Sequence, residues 1–227
     1  VYKRHDLYQN QTTDMLFTVP ISLTTGWSER ISNIGKMQNR GIEVELNMDI
    51  VKTQSFVWNF STNFSYNKNE VLELYGDVEE IPEGGIITKP GLAYGTFYDI
   101  RFAGVNPANG RPLWYNRDGV VVDRYSDDFK VPLEGKSFMP PYSGGFSTLI
   151  SFKGFAVSAQ FSWMAKKYLV NNTRFFVESN GQFAQYNQTV AMLDYWKEPG
   201  DITANPDPGI GTNYFDTRLL AVSYTHL

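Results

Sequence analysis

Glu43 and Glu45 stand two apart in the stretch Gly41 to Ile50, "GIEVELNMDI". On a strand this spacing puts two carboxylates on one face with Cα atoms roughly 7 Å apart. A carboxylate pair is the machinery of glycoside hydrolysis. Nothing else in the sequence supports hydrolysis, so the pair reads as polar lining of one strand face. A second acidic group, Asp118, Asp123, Asp127 and Asp128 with Asn116 and Gly119, offers the oxygen ligands calcium takes. Its spacing departs from the EF-hand loop, and solvated turn residues are the favoured reading. The two histidines, His5 and His226, lie near opposite ends of the chain, and cysteine is absent. Histidine triads, thiolate metal sites, cysteine nucleophiles and disulfide scaffolds are thereby unsupported or excluded. We assign no catalytic residue, no cofactor and no metal ligand. The remaining candidates are loop aromatics, foremost Tyr94, Phe97, Tyr98, Trp114 and Tyr115, followed by Tyr142, Tyr186, Tyr195 and Trp196. Such rings stack on sugars or pack against a partner, and equally well pack long loops onto one another.

The elements that would carry these residues are strands. Trp58 to Asn67, "WNFSTNFSYN", puts Trp58, Phe60, Thr62, Phe64 and Tyr66 on one parity and small polar residues on the other. Ile42, Val44, Leu46, Met48 and Ile50 alternate in the same way with Glu43, Glu45, Asn47 and Asp49. "TFYDIRFAG", "GFSTLISF" and "FAVSAQFSW" also alternate, and Lys153-Gly154 joins the last two as a tight hairpin. "VYKRHDLY" is a weaker strand at the start. Tight connections at Val51 to Ser55 and Lys153-Gly154 alternate with long ones, roughly Leu16 to Gln38, Lys68 to Gly144 and Lys166 to Asp216. Helix signals are confined to "TVAMLDYW", Thr189 to Trp196, and "NEVLELYG", Asn69 to Gly76.

The 227 residues carry a net charge of -4 and an aromatic fraction of 15%. The charge excludes the basic stripe that nucleic-acid binding needs. No apolar run reaches the roughly 18 residues of a transmembrane helix. The alternation fits two architectures. A secreted β-sandwich that binds carbohydrate would turn the apolar face inward. A membrane barrel would turn it to lipid. Strands of about ten residues, aromatics at strand ends (Trp58, Tyr66, Phe152, Phe155, Trp163) and the two loop sizes favour the barrel.

"NIGKMQNRGIEVELN" followed by "WNFSTNFSYNKNEVLEL" resembles the barrel region of the SusC/RagA family of TonB-linked outer-membrane transporters. "PGLAYGTFYDIRFAGVNPANGRPLWYNRDG", "GKSFMPPYSGGFSTLISFKGFAVSAQFSW", "YWKEPGD" and "NYFDTRLL" follow in that family's order, so the resemblance covers about Tyr2 to Leu220. It implies an all-β fold, an antiparallel up-and-down transmembrane β-barrel segment with long extracellular loops. It implies import of glycans or peptides across a Gram-negative outer membrane, and no enzymatic activity. It implies a SusD-type surface lipoprotein, outer-membrane lipid and an oligosaccharide or peptide substrate as partners. The TonB complex would be met through N-terminal regions and a plug that these residues do not include. Residues 1–227 are therefore expected to be the C-terminal part of a longer barrel, with the tail 221–227 departing from the family pattern.

Overall fold

The computed structural model describes residues 1–76, 78–210 and 214–223. The chain divides into two compact units, and each is treated by itself. The first holds Val1–Thr96 and Glu134–Tyr168, the second Phe97–Leu133 and Leu169–Ala221. In chain order the strands are β1 (Tyr2–Pro20), β2 (Glu29–Lys52), β3 (Phe56–Leu74), β4 (Ile81–Glu83), β5 (Ile86–Thr88), β6 (Thr96–Asp99), β7 (Phe102–Val105), β8 (Pro112–Tyr115), β9 (Val121–Val122), β10 (Val131–Ser137), β11 (Tyr142–Phe152), β12 (Phe155–Ala165), β13 (Lys167–Val170) and β14 (Leu220–Ser223). One short helix, α1 (Asn172–Val177), follows β13.

The first unit is built on a five-stranded antiparallel sheet in the order β1-β2-β3-β11-β12. Its register aligns the apolar parities of β2, β3, β11 and β12, while β1 sets Lys3, His5 and Leu7 opposite Leu46, Val44 and Ile42. Val44 lies opposite Phe64, Phe64 opposite Gly144 and Gly144 opposite Trp163. Two residues along, Leu46, Thr62, Phe146 and Phe161 form the next row, and further on Trp58, Ile150 and Val157 form another. The polar parity gives matching rows, Glu45-Asn63-Gly145-Ser162 and Asp49-Asn59-Leu149-Ser158, in which Leu149 is the apolar exception. The parity expected from the sequence is thus the parity of the sheet. Within the apolar band a β-bulge alters it locally. Asp49 opposes Asn59, but Val51 rather than Ile50 opposes Trp58. At the hairpin, Lys153 (φ 46°) and Gly154 (φ 87°) both take the left-handed conformation that a two-residue type I′ turn demands.

The apolar face of this sheet is uncovered. Leu7, Phe155 and Val157 are 79%, 81% and 69% exposed, and Val44, Phe64, Phe146, Ile150 and Phe152 are exposed as well. Among the described residues, no side chain from Ile42 to Tyr66 or from Tyr142 to Ala165 is buried. Three polar side chains of this face bond within the sheet. Trp58 Nε1 donates to Thr148 Oγ1 at 3.0 Å, and the Thr148 and Thr62 hydroxyls donate to the carbonyls of Asn59 (3.3 Å) and Gly145 (3.0 Å). A face that meets hydrocarbon requires this, since no water is available to compensate an unpaired group. Aromatic rows bound it. Tyr66 and Tyr142 (centroids 5.1 Å apart) stand at one end with Phe64 and Trp163, and Phe56 and Phe152 (6.4 Å) at the other. Gly144 leaves room for the Trp163 ring, because a Cβ there would meet the ring at 2.9 Å. From the Phe56 row to the Tyr66 row is ten residues. At the usual strand rise and a tilt of about 40° this spans about 25 Å, the height of a barrel's apolar band.

Four expectations are corrected. Leu16 to Gln38 is not a loop. β1 and β2 stay paired up to Pro20 and Glu29, and only residues 21–28 connect them. Asn69 to Gly76 is not helical. β3 runs to Leu74, with Val71 opposite Met37 and Glu73 opposite Lys36, so pairing with β2 overrides local helix propensity. "TFYDIRFAG" is not one strand but β6 and β7, with the wholly buried Ile100 between them. Thr189 to Trp196 holds only a single 3-10 turn, Val190–Leu193.

Beyond the apolar band the first unit has a small core of Phe17, Val71, Leu74 and Ile81, packed by Met15, Val78 and Tyr94. The second unit has its own, Ile100, Trp114 and Phe129, packed by Phe102, Val122, Tyr125 and Tyr214. His226 and the rest of the tail beyond Ser223 lie outside the described residues.

Candidate functional site

The polar sheet face carries Glu43 and Glu45 as paired-row neighbours of Asp6 and Arg4 on β1 and of Ser65 and Asn63 on β3. Arg4 is held by Asp6 at 2.7 Å. Together they floor an open depression of about 400 Å³.

Further along the same face an asparagine chain climbs toward the long loops. Tyr8 Oη donates to Asn67 Oδ1 (3.1 Å), and Asn67 and Asn69 both donate to Asn39 Oδ1 (3.1 and 2.9 Å). Asn69 in turn accepts from the backbone N–H of Tyr94 at 2.7 Å. Tyr94 is clamped from the other side by Ser137, whose hydroxyl donates to the Tyr94 carbonyl (2.9 Å), and its ring packs against Phe17 and Phe138. The ring stays half-buried, so Tyr94 is a fixed aromatic with part of its surface available.

Of the other sequence candidates, Tyr142 stands on β11 in the first unit, and Phe97, Tyr98, Trp114 and Tyr115 lie in the second. Phe97 is buried. Trp114 is 1% exposed, with its ring edge-on to Tyr125 and Tyr214 and its indole N–H donated to Asp216 Oδ2 at 2.9 Å. Neither offers a free ring face, and both serve to hold the unit together. Tyr98 and Tyr115 are half-buried. Tyr98 Oη accepts from Arg117 (3.1 Å), and the Arg101 guanidinium lies 5.2 Å from the Tyr115 ring centre. Each tyrosine is therefore paired with an arginine.

Asp216 is the residue the sequence reading missed. It is wholly buried and accepts from Trp114, from the Arg218 backbone N–H, and from the Arg218 guanidinium at 2.7 and 2.9 Å. Arg218 also lies 4.2 Å above the Phe102 ring. A neighbouring cleft of about 260 Å³ is lined by Phe102, Arg174, Glu178 and Arg218 among others. Arg174 is bound to Glu178 at 2.6 Å and to the Arg218 carbonyl. Both guanidiniums are thus committed internally, and the cleft reads as a rigid joint. A second aromatic group, with Phe175 stacked on Phe215 at 4.2 Å and Phe176 against Phe183 and Tyr186, was also missed. The run of aromatics near Phe175 was its only signal.

Burial pushes the Asp99 carboxyl from its usual 3.8 up to about 6, helped by nearby Asp216 and Asp127 and opposed by the Ile100 N–H and Lys130. Burial also raises the Tyr125 hydroxyl to about 12. Because the folded pKa of Asp99 lies above its unfolded value, the folded unit binds the extra proton between about pH 4 and pH 6. The stability this proton gives is full below about pH 4 and gone above about pH 6. We expect amide protection at Ile100, corrected for intrinsic exchange, to fall over that window, and Asp99→Asn to flatten the profile. An unchanged profile in the variant would assign the dependence elsewhere. The acidic loop is occupied by local bonds: Asp127 holds Lys130 at 2.7 Å, and Asn116 Oδ1 accepts from the Val120 N–H. Among the described residues, no group of three or more histidine, cysteine or acidic side chains could hold a metal ion.

Comparison with known proteins places this geometry. The profile of the family described as TonB dependent receptor-like, beta-barrel matches residues 6–205. A TonB-dependent receptor of Formosa agariphila is 41% identical over 88% of this chain and 24% of its own length. The TonB-dependent receptor SusC of Bacteroides thetaiotaomicron is 29% identical over 52% of this chain and 13% of its own. The solved RagAB peptide transporter superimposes with a TM-score of 0.86 at 32% identity, covering 97% of this chain and 25% of that one. The chain belongs to the TonB-dependent receptor-like β-barrel family, and its likeness to SusC and RagAB agrees with the SusC/RagA motifs in its sequence. It spans about a quarter of the length of the first relatives it matches.

Proposed function

We propose that the chain forms part of the wall and the outer loops of a TonB-dependent importer in the outer membrane, and that it carries out binding and translocation rather than catalysis. The observation that carries this reading is the uncovered apolar face of β2, β3, β11 and β12, bounded by aromatic rows about 25 Å apart and backed by a mainly polar one. A β-sandwich would cover that face with a second sheet. The cargo class is an oligosaccharide or a peptide. RagAB, a structural neighbour, is a peptide importer. A SusD-type lipoprotein is the proposed partner of the outer loops, and the TonB complex acts through regions outside these residues.

Within the loops, Tyr94, Tyr98 and Tyr115 are the proposed contact residues, and Phe97 and Trp114 hold the loops that present them. Tyr98→Ala with Tyr115→Ala in the full-length transporter removes two rings, equivalent to about 1–3 kcal/mol of contact. We expect about tenfold weaker uptake or lipoprotein co-purification, with unchanged outer-membrane levels. If both uptake and co-purification stay at the wild-type level, these rings are not the contact surface.

A further inference from the structure

One rung of the β3 ladder is unmade on the edge that β3 turns toward β11. At Asn67 that edge is paired, the Asn67 N–H donating to the Pro141 carbonyl at 2.9 Å. At Val71 it is paired again, by the loop after β5. The Val71 N–H reaches the Leu92 carbonyl (2.8 Å), and the Val71 carbonyl accepts from the Gly91 N–H (2.9 Å). Asn69, midway, turns its N–H and carbonyl to the same edge, as alternate residues of a strand do. Among the described residues, no hydrogen bond meets either of these backbone groups. The cause lies in the sequence. Extending the β3–β11 register past Tyr66 and Tyr142 would set Met139 opposite Asn69. Pro140 and Pro141 have no N–H for a ladder and end that strand. The Met139 N–H turns instead to Ser137 Oγ at 3.0 Å.

The open rung faces a cleft of about 300 Å³ within the first unit, lined by Asn69, Leu92, Ala93, Met139 and Pro140 among others. Its edge is held in place. The Asn69 side chain donates to Asn39 and accepts from the Tyr94 N–H, so the backbone at Asn69 is fixed by bonds that leave its own N–H and carbonyl available. Two lysines and two glutamates, Lys68, Lys166, Glu70 and Glu134, also line the cleft, so its charge is balanced.

We propose that this cleft binds one residue of an extended peptide by strand addition, the peptide completing the missing rung against Asn69. The pattern of groups selects the ligand. In an extended peptide the N–H and C=O of a single residue point to the same side, and opposite Asn69 they would exchange both bonds. A lone secondary amide, as in an acetamido sugar, is planar and trans and turns its N–H and C=O to opposite sides. It can satisfy only one of the two groups. The balanced charge leaves the backbone, rather than a charged side chain, as what the cleft reads. The inference narrows the cargo class of the proposed importer to peptides, and it rests on that reading only for the peptide's onward route.

The test measures binding directly, without uptake, in the full-length protein in nonionic detergent. The probe is acetyl-Pro-Leu-Pro-dimethylamide, in which leucine carries the only N–H and so fixes the register. Hydrogen exchange at the Asn69 amide should slow at least about tenfold when the probe binds. The depsipeptide with an ester oxygen in place of the leucine N–H should bind about tenfold more weakly, since the Asn69 carbonyl then meets no donor. Ala93→Phe, which fills the cleft, should abolish the protection while heat-modifiable mobility is kept. N,N′-diacetylchitobiose should give no protection. Absence of protection by the parent peptide, equal binding of the depsipeptide, or equal protection by the acetamido sugar would each overturn the proposal. If Ala93→Phe does not fold, the depsipeptide comparison on the unaltered protein decides. A negative result here leaves the importer reading standing, because that reading is tested by the lipid-facing positions.

Discussion

Alanine at Asp216 should cost the second unit about 3–5 kcal/mol, the loss typical of breaking a buried ion pair from one side. The carboxylate is fully buried and satisfies the Trp114 indole and the Arg218 guanidinium together. Its removal leaves the Trp114 indole N–H unpaired in a core with Ile100 and Phe129, and the partly buried Arg218 guanidinium without its anion. The expected result is local. Limited proteolysis of the full-length protein should open within 97–133 and 169–221, while the barrel keeps its heat-modifiable mobility. Asp216→Asn, which keeps an acceptor for the indole, should cost less. A protease-resistant second unit in Asp216→Ala would mean that the network is not what holds it.

Lysine at Phe60 should destabilise the inserted barrel by about 2–4 kcal/mol, the depth-dependent cost of a cation on a lipid face near the midplane. Phe60 lies near the middle of the ten-residue span between the aromatic rows, with its ring 6.4 Å from that of Phe146. Lysine at Asn63, on the opposite parity, should be tolerated within about 0.5 kcal/mol, as surface changes usually are. Refolding titrations into lipid vesicles measure both. Equal costs at the two positions would remove the distinction between the faces.

The wall was readable from the sequence because parity is a strictly local property. Trp58 to Asn67 and Gly41 to Asp49 state their faces residue by residue, and Lys153-Gly154 states its turn, whereas the bulge after Asp49 is not visible in the alternation. What could not be read depends on partners distant in the chain. β3 continues through Asn69 to Leu74 because β2 pairs with it there. The upper part of β1 and β2 carries no strict alternation, and only their mutual register makes it strand. Trp114 looked like an exposed loop aromatic because its acceptor, Asp216, lies 102 residues away. Burial of Phe97 and Trp114 follows from such pairings and from nothing in their own neighbourhoods.

The central claim is that the apolar parity faces lipid and the polar parity faces water. Spin labels placed singly at Val44, Phe146, Ile150 and Val157, and at Glu45, Asn63, Ser147 and Ser158, test it in the full-length protein reconstituted in bilayers. The first set should be relaxed strongly by oxygen and weakly by a water-soluble nickel chelate, and the second set the reverse. Labels at Phe146 and Ile150 that are open to the chelate and shielded from oxygen would contradict the account.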